Sequence, residues 1–209
     1  MTGSLSQRLR AETKDAHVLA ERSGIMRTLL RGSITRATYV SLLRNLAGIY
    51  RPLEEELDRH AAHPALVGIN RNALRRLDRL ERDIAALAIE PPHDAPADLP
   101  ATREYATRLR EIGRSSPELL LAHAYVRYMG DLSGGQMLKD IVARTLSVYS
   151  ADDGLDFYDF PDIADPIAFK EAFRDVIDSA VLVGAAPDAI VREAQYGFAL
   201  HERLFAELE

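Results

Sequence analysis

Three glycines interrupt a long helical pattern in the segment Tyr125-Val-Arg-Tyr-Met-Gly-Asp-Leu-Ser-Gly-Gly-Gln136. A glycine in a helix interior costs about 1 kcal/mol relative to alanine. Gly130 and Gly134 are four residues apart, as are Asp131 and Gly135, so the helix carries two adjacent stripes that lack bulk. Such stripes indicate a close helix crossing, a break in the helix, or a backbone that approaches a flat ligand. The spacing does not decide between them, although an acid inside the stripe is hard to explain by packing.

On both sides of this segment apolar residues recur at helical spacing, and alternation typical of strands is missing. We therefore expect an all-α fold, a single domain over residues 1–209 with seven or so helices. Capping and proline signals give the helix bounds. The expected helices run from Ser4 to a bend or end at Gly24, from Thr35 to Leu57 with a kink at Pro52, from Asn72 to Ala88 with Asn70 or Asn72 as cap, from Pro100 to Ile112, from Pro117 to Val148, from Pro166 to Val183, and from Pro187 to the C-terminus.

Composition excludes several classes of protein. The 26 basic and 32 acidic residues give a net charge of −6, which argues against a general nucleic-acid binder. The absence of cysteine excludes disulfides, zinc ribbons and iron–sulfur clusters. No apolar run approaches the roughly 18 residues of a membrane span, and the first residues lack the features of a signal peptide. We expect a cytoplasmic protein without a membrane anchor. No P-loop or G-x-S-x-G motif supports a nucleotide enzyme or a serine hydrolase.

A second informative pattern lies in the first helix. Arg10, Lys14 and Glu21 share one helical face with His17. A stripe of this kind is most often a solvated surface. The alternative is a neutral imidazole that binds a metal, with Glu21 accepting the hydrogen of the other ring nitrogen. Arg10 and Lys14 would then hold an anionic ligand beside the metal.

The other histidines give weaker signals. His123 lies in an apolar segment and is expected to be buried and hydrogen-bonded, although it is the rival candidate for an iron ligand. His60 and His63 flank a predicted helix end and are expected to act as C-terminal caps. Glu90-Pro-Pro-His93 contains two prolines, which prevent the helical geometry of a di-iron motif. His201 gives no information by itself.

Taken together, these segments resemble the haem oxygenase family. Gly130-Asp-Leu-Ser-Gly-Gly-Gln136, preceded by Ala122-His-Ala-Tyr-Val-Arg-Tyr128, is similar to the signature of its distal helix. Glu12-Thr-Lys-Asp-Ala-His17, followed by Ala20-Glu21, resembles its proximal-helix motif. The likeness extends in the same order over essentially the whole chain, and this outweighs the surface interpretation of His17. Further similar blocks are Tyr50-Arg-Pro-Leu-Glu-Glu-Glu56, Leu155-Asp-Phe-Tyr-Asp-Phe-Pro161, Phe169-Lys-Glu-Ala-Phe-Arg174 and the region of Phe198.

The resemblance implies that haem is both substrate and cofactor, held between the first helix and a kinked, glycine-rich distal helix. It makes His17 the iron ligand and Glu21 the hydrogen-bond partner of its imidazole. Asp131 would hold a distal water chain that delivers protons, with Tyr50 and Arg127 behind it. The remaining residues implied to bind haem are Arg10, Lys14, Tyr125, Lys170 and Arg174 at the propionates, and Gly130, Ser133, Gly134, Gly135 and Phe198 in the pocket.

The same resemblance implies an enzyme that cleaves haem at a meso carbon, the α carbon by family default, to biliverdin, CO and ferrous iron. It would use O2 and electrons from a separate ferredoxin or flavoprotein reductase. Arg10 stands where many relatives have lysine, which keeps the charge but changes the hydrogen-bond geometry. Two other functions remain open. A haem carrier or sensor would not need Asp131, and a helical scaffold for a small aromatic ligand would not need His17.

Overall fold

The computed structural model describes residues 3–69, 72–88, 98–182 and 184–209. These residues form helices, turns and loops without any strand, which confirms the all-α class. A π-helical segment, Tyr125–Met129, joins two of the helices. The α-helices are α1 (Leu5–Glu12), α2 (Lys14–Arg22), α3 (Gly24–Leu30), α4 (Arg36–Arg59), α5 (Leu77–Leu87), α6 (Pro100–Ser115), α7 (Leu120–Ala124), α8 (Gly130–Leu146), α9 (Pro166–Asp178) and α10 (Pro187–Glu207).

Helices α4 and α10 are the main packing elements of the core. Helix α4 packs against α5, α6 and α7, and α10 packs against α1, α2, α3, α6 and α7. The apolar positions of α4 recur every three or four residues, so one broad face, including Leu46 and Leu53, is buried. Within that face the buried Asn45 accepts hydrogen bonds from the Leu99 amide at 3.0 Å and the Thr102 hydroxyl at 2.7 Å. Asn45 thereby fixes the start of α6 on α4.

The predicted first helix is divided into α1, α2 and α3. The capping box is present, because the Ser4 hydroxyl accepts from the Gln7 amide and the Gln7 side chain accepts from the Ser4 amide. At Thr13 the side-chain hydroxyl donates to the Leu9 carbonyl at 2.6 Å, and the helix restarts with α2. The bend expected at Gly24 is confirmed. Its φ is +40°, and a Cβ there would lie 1.8 Å from a backbone oxygen of α10.

Helix α4 begins as predicted, with the Thr35 hydroxyl accepting from the Thr38 amide, and it continues through Pro52. The predicted start of α5 at Asn72 is wrong. Residues 72–74 form a 3-10 turn, and α5 begins five residues later. The cause is a distant cap, because Glu54 of α4 accepts from the backbone amides of Arg76 at 2.7 Å and Leu77 at 3.3 Å.

The long helix predicted from Pro117 to Val148 is also wrong. It consists of a 3-10 turn, α7, the π-helical segment and α8, and α8 ends before Ser147, which has a φ of +55°. Helix α6 extends to Ser115, three residues beyond the prediction. Helix α9 ends at Asp178, whose carboxylate accepts from the amide and hydroxyl of Ser6 in α1.

Some predictions concern residues outside the described ranges. These are the possible cap at Asn70 and the Glu90-Pro-Pro-His93 motif. The helix end predicted at Val183 is wrong, because α9 ends at Asp178 and the described residues 179–182 are not helical. Of the two expected caps at the end of α4, His60 does occupy the C-cap position. His63 lies in the following turn, where its Nδ1 accepts from the Ala65 amide at 3.3 Å.

Candidate active site

A buried polar cluster forms where α4, the π-helical segment and α8 meet. The Tyr50 hydroxyl donates to Oδ2 of Asp131. Arg127 donates from Nε to the Tyr50 hydroxyl at 3.0 Å and from Nη2 to Oδ1 of Asp131 at 3.1 Å. Arg127 and Asp131 are four residues apart and therefore share one helical face. The structure thus brings together the three residues that the resemblance implied to be catalytic.

The neighbours of Asp131 and Arg127 shift the pKa values of both groups. Burial raises the pKa of Asp131 above its ordinary value, while the charge of Arg127 and the hydrogen bond from Tyr50 act in the opposite direction. Burial lowers the pKa of Arg127, but Tyr50 and Asp131 outweigh that effect and raise it, so the guanidinium stays charged. About a tenth of each of these two charged side chains is exposed. Asp131 is therefore fixed by its neighbours and still reaches an open side.

His201 of α10 completes the cluster, and sequence reasoning missed it. Arg127 donates from Nη1 to Nε2 of His201 at 2.8 Å. Because a guanidinium has no acceptor, Nε2 carries the lone pair, and Nδ1 donates to the Gly197 carbonyl at 2.9 Å. Burial lowers the pKa of His201 well below its usual range, and the charge of Arg127 lowers it further. His201 is therefore a neutral imidazole that holds one side of Arg127.

His123 is buried and hydrogen-bonded, as expected, and both of its ring nitrogens are used. Nε2 lies 2.9 Å from Glu193, and Nδ1 lies 2.9 Å from the Tyr105 hydroxyl. Burial raises the pKa of Glu193, but hydrogen bonds from Arg108 and His123 outweigh this and lower it to about 2. An ionised Glu193 only accepts, so Nε2 of His123 donates to it, while Nδ1 is occupied by the bond with the Tyr105 hydroxyl. This arrangement leaves His123 no nitrogen for iron.

His17 has a different environment from these two buried histidines. Its side chain is 47% exposed on α2, and its ring makes an edge contact with Phe198 of α10 at a centroid distance of 5.4 Å. Glu21 lies one turn further along α2, and its Oε1 is 3.6 Å from Nε2 of His17, longer than a hydrogen bond. The structure thus brings His17, Glu21 and Phe198 together and leaves the imidazole accessible to a ligand.

The glycines of α8 do not serve helix packing. A Cβ added to Gly130 or Gly134 would meet nothing within 4 Å, and one added to Gly135 would meet only Tyr158 at 3.7 Å. In contrast, a Cβ on Gly24 would clash with backbone, and one on Gly197 would lie 3.3 Å from polar atoms. A close helix crossing therefore does not account for Gly130 and Gly134, and α8, which begins at Gly130, continues without a break through Gly134. Both face open space, and Ser133 beside them is exposed.

Tyr125 lies among basic residues of α1 and α9. Burial raises the pKa of Tyr125, and a hydrogen bond with Thr13 and the charges of Arg174 and Arg10 counteract this. The bond between Asp178 and Ser6 holds α9 against α1, so the basic residues of these helices approach the same region. Lys170 lies one helical turn before Arg174 in α9, and Lys14 begins α2, four residues after Arg10 and beyond the break at Thr13. Among the described residues, these four basic side chains form no ion pair.

Comparison with known proteins identifies the family. The family model described as "Heme oxygenase" matches residues 3–207. The chain belongs to the haem oxygenase family. It is a haem-degrading monooxygenase, and both the sequence resemblance and the expected fold are confirmed.

Curated relatives and solved structures agree with this assignment. "Heme oxygenase 1" of Nostoc sp. is 38% identical over 209 residues, covering 100% of this chain and 87% of the relative. The human "Heme oxygenase 1" is 38% identical over 210 residues, covering 100% of this chain and 73% of the relative. A crystal structure of Synechocystis heme oxygenase-1 in complex with heme has a TM-score of 0.91 at 35% identity, covering 99% of this chain and 93% of that chain. A Leptospira interrogans heme oxygenase structure has a TM-score of 0.88 at 35% identity, covering 98% of this chain and 100% of that chain.

In the described ranges of this haem oxygenase, no helix combines the length and the hydropathy needed to cross a membrane.

The ion pair of Glu193 with Arg108 predicts how the free energy of unfolding depends on pH. Its folded pKa of about 2 lies below the ordinary value near 4.3, so its contribution is present above pH ~4.3 and is lost as the pH falls through 2. We expect Glu193→Gln to lower the free energy of unfolding at pH 7 by about 2 kcal/mol and to flatten its acid dependence. Urea unfolding between pH 2 and pH 7 measures both effects. The exposed Glu111, which also faces Arg108, is the control as Glu111→Gln, and an unchanged acid slope in Glu193→Gln would contradict the assignment.

Proposed function

We propose that this haem oxygenase binds haem between α2 and α8, with His17 as the iron ligand and the whole chain 1–209 acting as one domain. It cleaves the macrocycle at a meso carbon, the α carbon by expectation, and releases biliverdin, CO and ferrous iron. O2 is the oxidant, and a separate ferredoxin or flavoprotein reductase supplies the electrons. The observation that carries the proposal is the open space in front of Gly130 and Gly134, on the same helix as the buried cluster of Asp131.

The residues present fit each part of a haem molecule. A flat macrocycle can approach a helix only where side chains are absent, and Gly130 and Gly134 leave such a surface. Propionate carboxylates need cations. Arg10 and Arg174 act on Tyr125, and Lys14 and Lys170 are four residues away from them along the chain. The iron needs an imidazole with an accessible nitrogen. His17, whose side chain is half exposed and whose ring packs against Phe198, can provide it.

On the side of His17, Glu21 decides which ring nitrogen of the imidazole carries the hydrogen. Glu21, whose Oε1 lies 3.6 Å from Nε2 of His17, would accept the hydrogen of one ring nitrogen, and the lone pair of the other nitrogen would then be left for the iron. Bound haem supplies the iron at which dioxygen is activated and the carbon that is oxidised. The ring of Phe198 limits the rotation of the imidazole by its edge contact.

On the distal side, Asp131 is the group that handles protons. Its Oδ1 accepts from Arg127 and its Oδ2 accepts from Tyr50, so each oxygen keeps a second lone pair that can order water toward the open side. Asp131 would hold and release a proton at its carboxylate through such water, as a general acid does. Arg127 keeps its charge and His201 holds it in place, so the carboxylate does not move during the reaction.

The basic residues decide which edge of the macrocycle faces Asp131. Each charge-assisted hydrogen bond from Arg10, Lys14, Lys170 or Arg174 to a propionate contributes about 1.5–3 kcal/mol. Such a bond favours one rotation of the nearly symmetric disc over another by roughly one to two decades. These residues therefore select the meso carbon, with Tyr125 as a neutral hydrogen-bond donor between them.

The test of this function is the fate of hemin on the purified protein. We expect hemin to bind with a shifted Soret band, and reductant in air to replace that band by the broad red absorption of biliverdin. Chromatography of the pigment identifies the isomer. His17→Ala should lose the spectrum of the complex and regain it with added imidazole. A Soret band that is stable toward reductant would make the protein a carrier, and a failure to bind hemin would contradict the proposal altogether.

Asp131→Asn tests proton handling separately from haem binding. The amide keeps the shape of the carboxylate but cannot hold a proton for delivery. We expect biliverdin formation to fall at least about 100-fold while hemin affinity stays within about threefold. Single-turnover absorption and hemin titration measure the two quantities. Asp140→Asn, on the exposed side of the same helix, is the matched control. Biliverdin formation by Asp131→Asn at the normal rate would remove Asp131 from the mechanism.

Gly134→Ala tests the open stripe itself. Because the added Cβ meets no protein atom within 4 Å, we expect the free energy of unfolding without haem to rise by up to about 1 kcal/mol. The same methyl group occupies the haem surface, so hemin affinity should fall by about tenfold, or 1.4 kcal/mol. Gly197→Ala is the contrasting variant, since its Cβ crowds His123 and should lower stability. Normal hemin affinity in Gly134→Ala would show that haem does not lie on this stripe.

A further inference from the structure

A loop of aromatic and acidic residues forms the wall behind the distal cluster. This segment, Asp156–Phe160, is called the aromatic loop below. The ring of Phe157 contacts the ring of Tyr50 edge to face at a centroid distance of 6.1 Å. The carbonyl of Tyr158 accepts from Gln136 of α8 at 3.1 Å. The aromatic loop therefore touches both Tyr50 and the glycine-rich helix.

Helix α5 holds the aromatic loop through one of its faces. Arg79 forms an ion pair with Asp156, and Arg82 donates from Nε to the same carboxylate at 2.7 Å. The buried Asp83 accepts from the backbone amides of Asp156 and Phe157, both at 2.8 Å. These three side chains recur at helical spacing and anchor the start of the loop.

Arg76, one turn before Arg79, is bound in a different way. It is 1% exposed, and its guanidinium donates to the carbonyls of Phe157 at 2.9 Å and Asp159 at 2.6 Å. It also donates to the carbonyls of Ala73 and Leu74 and lies 3.8 Å from the centroid of the Phe160 ring. All of these acceptors are neutral. Among the described residues, Arg76 has no carboxylate within ion-pair distance.

A fully buried cation without a direct ion pair is costly unless negative charge lies nearby. Burial lowers the pKa of Arg76, and the carboxylates whose charge counteracts this are Asp131 and Glu54. Glu54 already accepts from the amides that begin α5. The interaction with Asp131 is mutual, because the charge of Arg76 also lowers the pKa of Asp131.

We propose that Arg76 is a positioning residue for the distal acid: its buried charge stabilises the carboxylate of Asp131 from behind, while its hydrogen bonds fix the aromatic loop against Tyr50. The proposal deepens the proposed function, on which it rests for the role of Asp131. Asp131 then lies under the influence of two buried cations. Arg127 binds it directly, and Arg76 acts without a direct hydrogen bond.

The charged and titratable groups around Asp131 come from three elements. Helix α4 contributes Tyr50, the π-helical segment contributes Arg127 and Tyr128, and the aromatic loop contributes Tyr158. Burial raises the pKa of each of these tyrosines, so all three stay neutral near pH 7. Arg76 and Arg127 are therefore the cations that act on Asp131, and only Arg76 can be changed without breaking a hydrogen bond to its carboxylate.

The test is the titration of the Asp131 carboxyl in the protein without haem. Carbon-13 NMR of labelled aspartate follows it, and Asp131→Asn assigns the signal. We expect Arg76→Gln to move the midpoint to higher pH. Arg79→Gln is the matched control, because it loosens the aromatic loop without removing a charge that acts on Asp131, and it should leave the midpoint unchanged. Equal midpoints in wild type and Arg76→Gln, or equal shifts in both variants, would overturn the proposal.

Arg76→Lys separates the effect of the charge from that of the hydrogen bonds to the aromatic loop. It also replaces Arg76→Gln as the test if that variant does not fold. Lysine keeps the charge but loses the fork of hydrogen bonds, so amide exchange at Phe157 and Tyr158 should accelerate while the Asp131 midpoint stays near its wild-type value. If Arg76→Lys, which keeps the charge, shifts the titration midpoint of Asp131 together with the faster amide exchange in the loop, the proposal is contradicted. In the haem-loaded enzyme, Arg76→Gln should form biliverdin about tenfold more slowly with unchanged hemin affinity. Because the NMR titration needs no haem, its result is independent of the hemin experiment.

Discussion

The guanidinium of Arg127 is the interaction on which the rest of the site depends. A buried cation is tolerated only when its donors are satisfied, and this one binds Tyr50, Asp131 and His201. These partners come from α4, α8 and α10, while Arg127 itself lies in the π-helical segment. One charged group therefore requires four elements to meet at one point. The acid that faces the open side is fixed as a consequence of this requirement.

Glycine occurs at different positions of this enzyme for opposite physical reasons. The contrast shows how the fold leaves room for a ligand. Gly24 and Gly197 are needed because neighbouring atoms are too close for a Cβ. Gly130 and Gly134 have no neighbours at all where a Cβ would be, although each costs helix stability. The π-helical turn just before them, a geometry often found at functional sites, carries Arg127 and Tyr125 at the same end of α8.

Local signals in the sequence predicted the fold where the partners are close along the chain. The caps at Ser4 and Thr35 begin their helices as expected, because each accepts from an amide three residues later. The start of α5 could not be found this way, since its cap, Glu54, lies 22 residues before Arg76. The π-helical segment also leaves no clear periodic signal in the sequence.

The same distinction applies to the candidate site. Family resemblance indicated Tyr50, Arg127 and Asp131, and the structure brings them together. His201 gave no signal, because its role depends on a residue 74 positions earlier. The sequence does not distinguish Arg76 from the other arginines at α5, and its burial appears only in the structure. Sequence reasoning therefore finds residues that carry a motif and misses those that support them from another element.

The most direct test of this arrangement is the protonation of His201 in the protein without haem. Long-range proton–nitrogen NMR distinguishes the two tautomers and the charged form of each imidazole. Preorganisation of Arg127 predicts that His201 carries hydrogen on Nδ1 alone, with Nε2 as acceptor, and does not titrate between pH 5 and pH 8. A His201 that is protonated on Nε2, or that becomes charged in this range, would mean that Arg127 is not held as described.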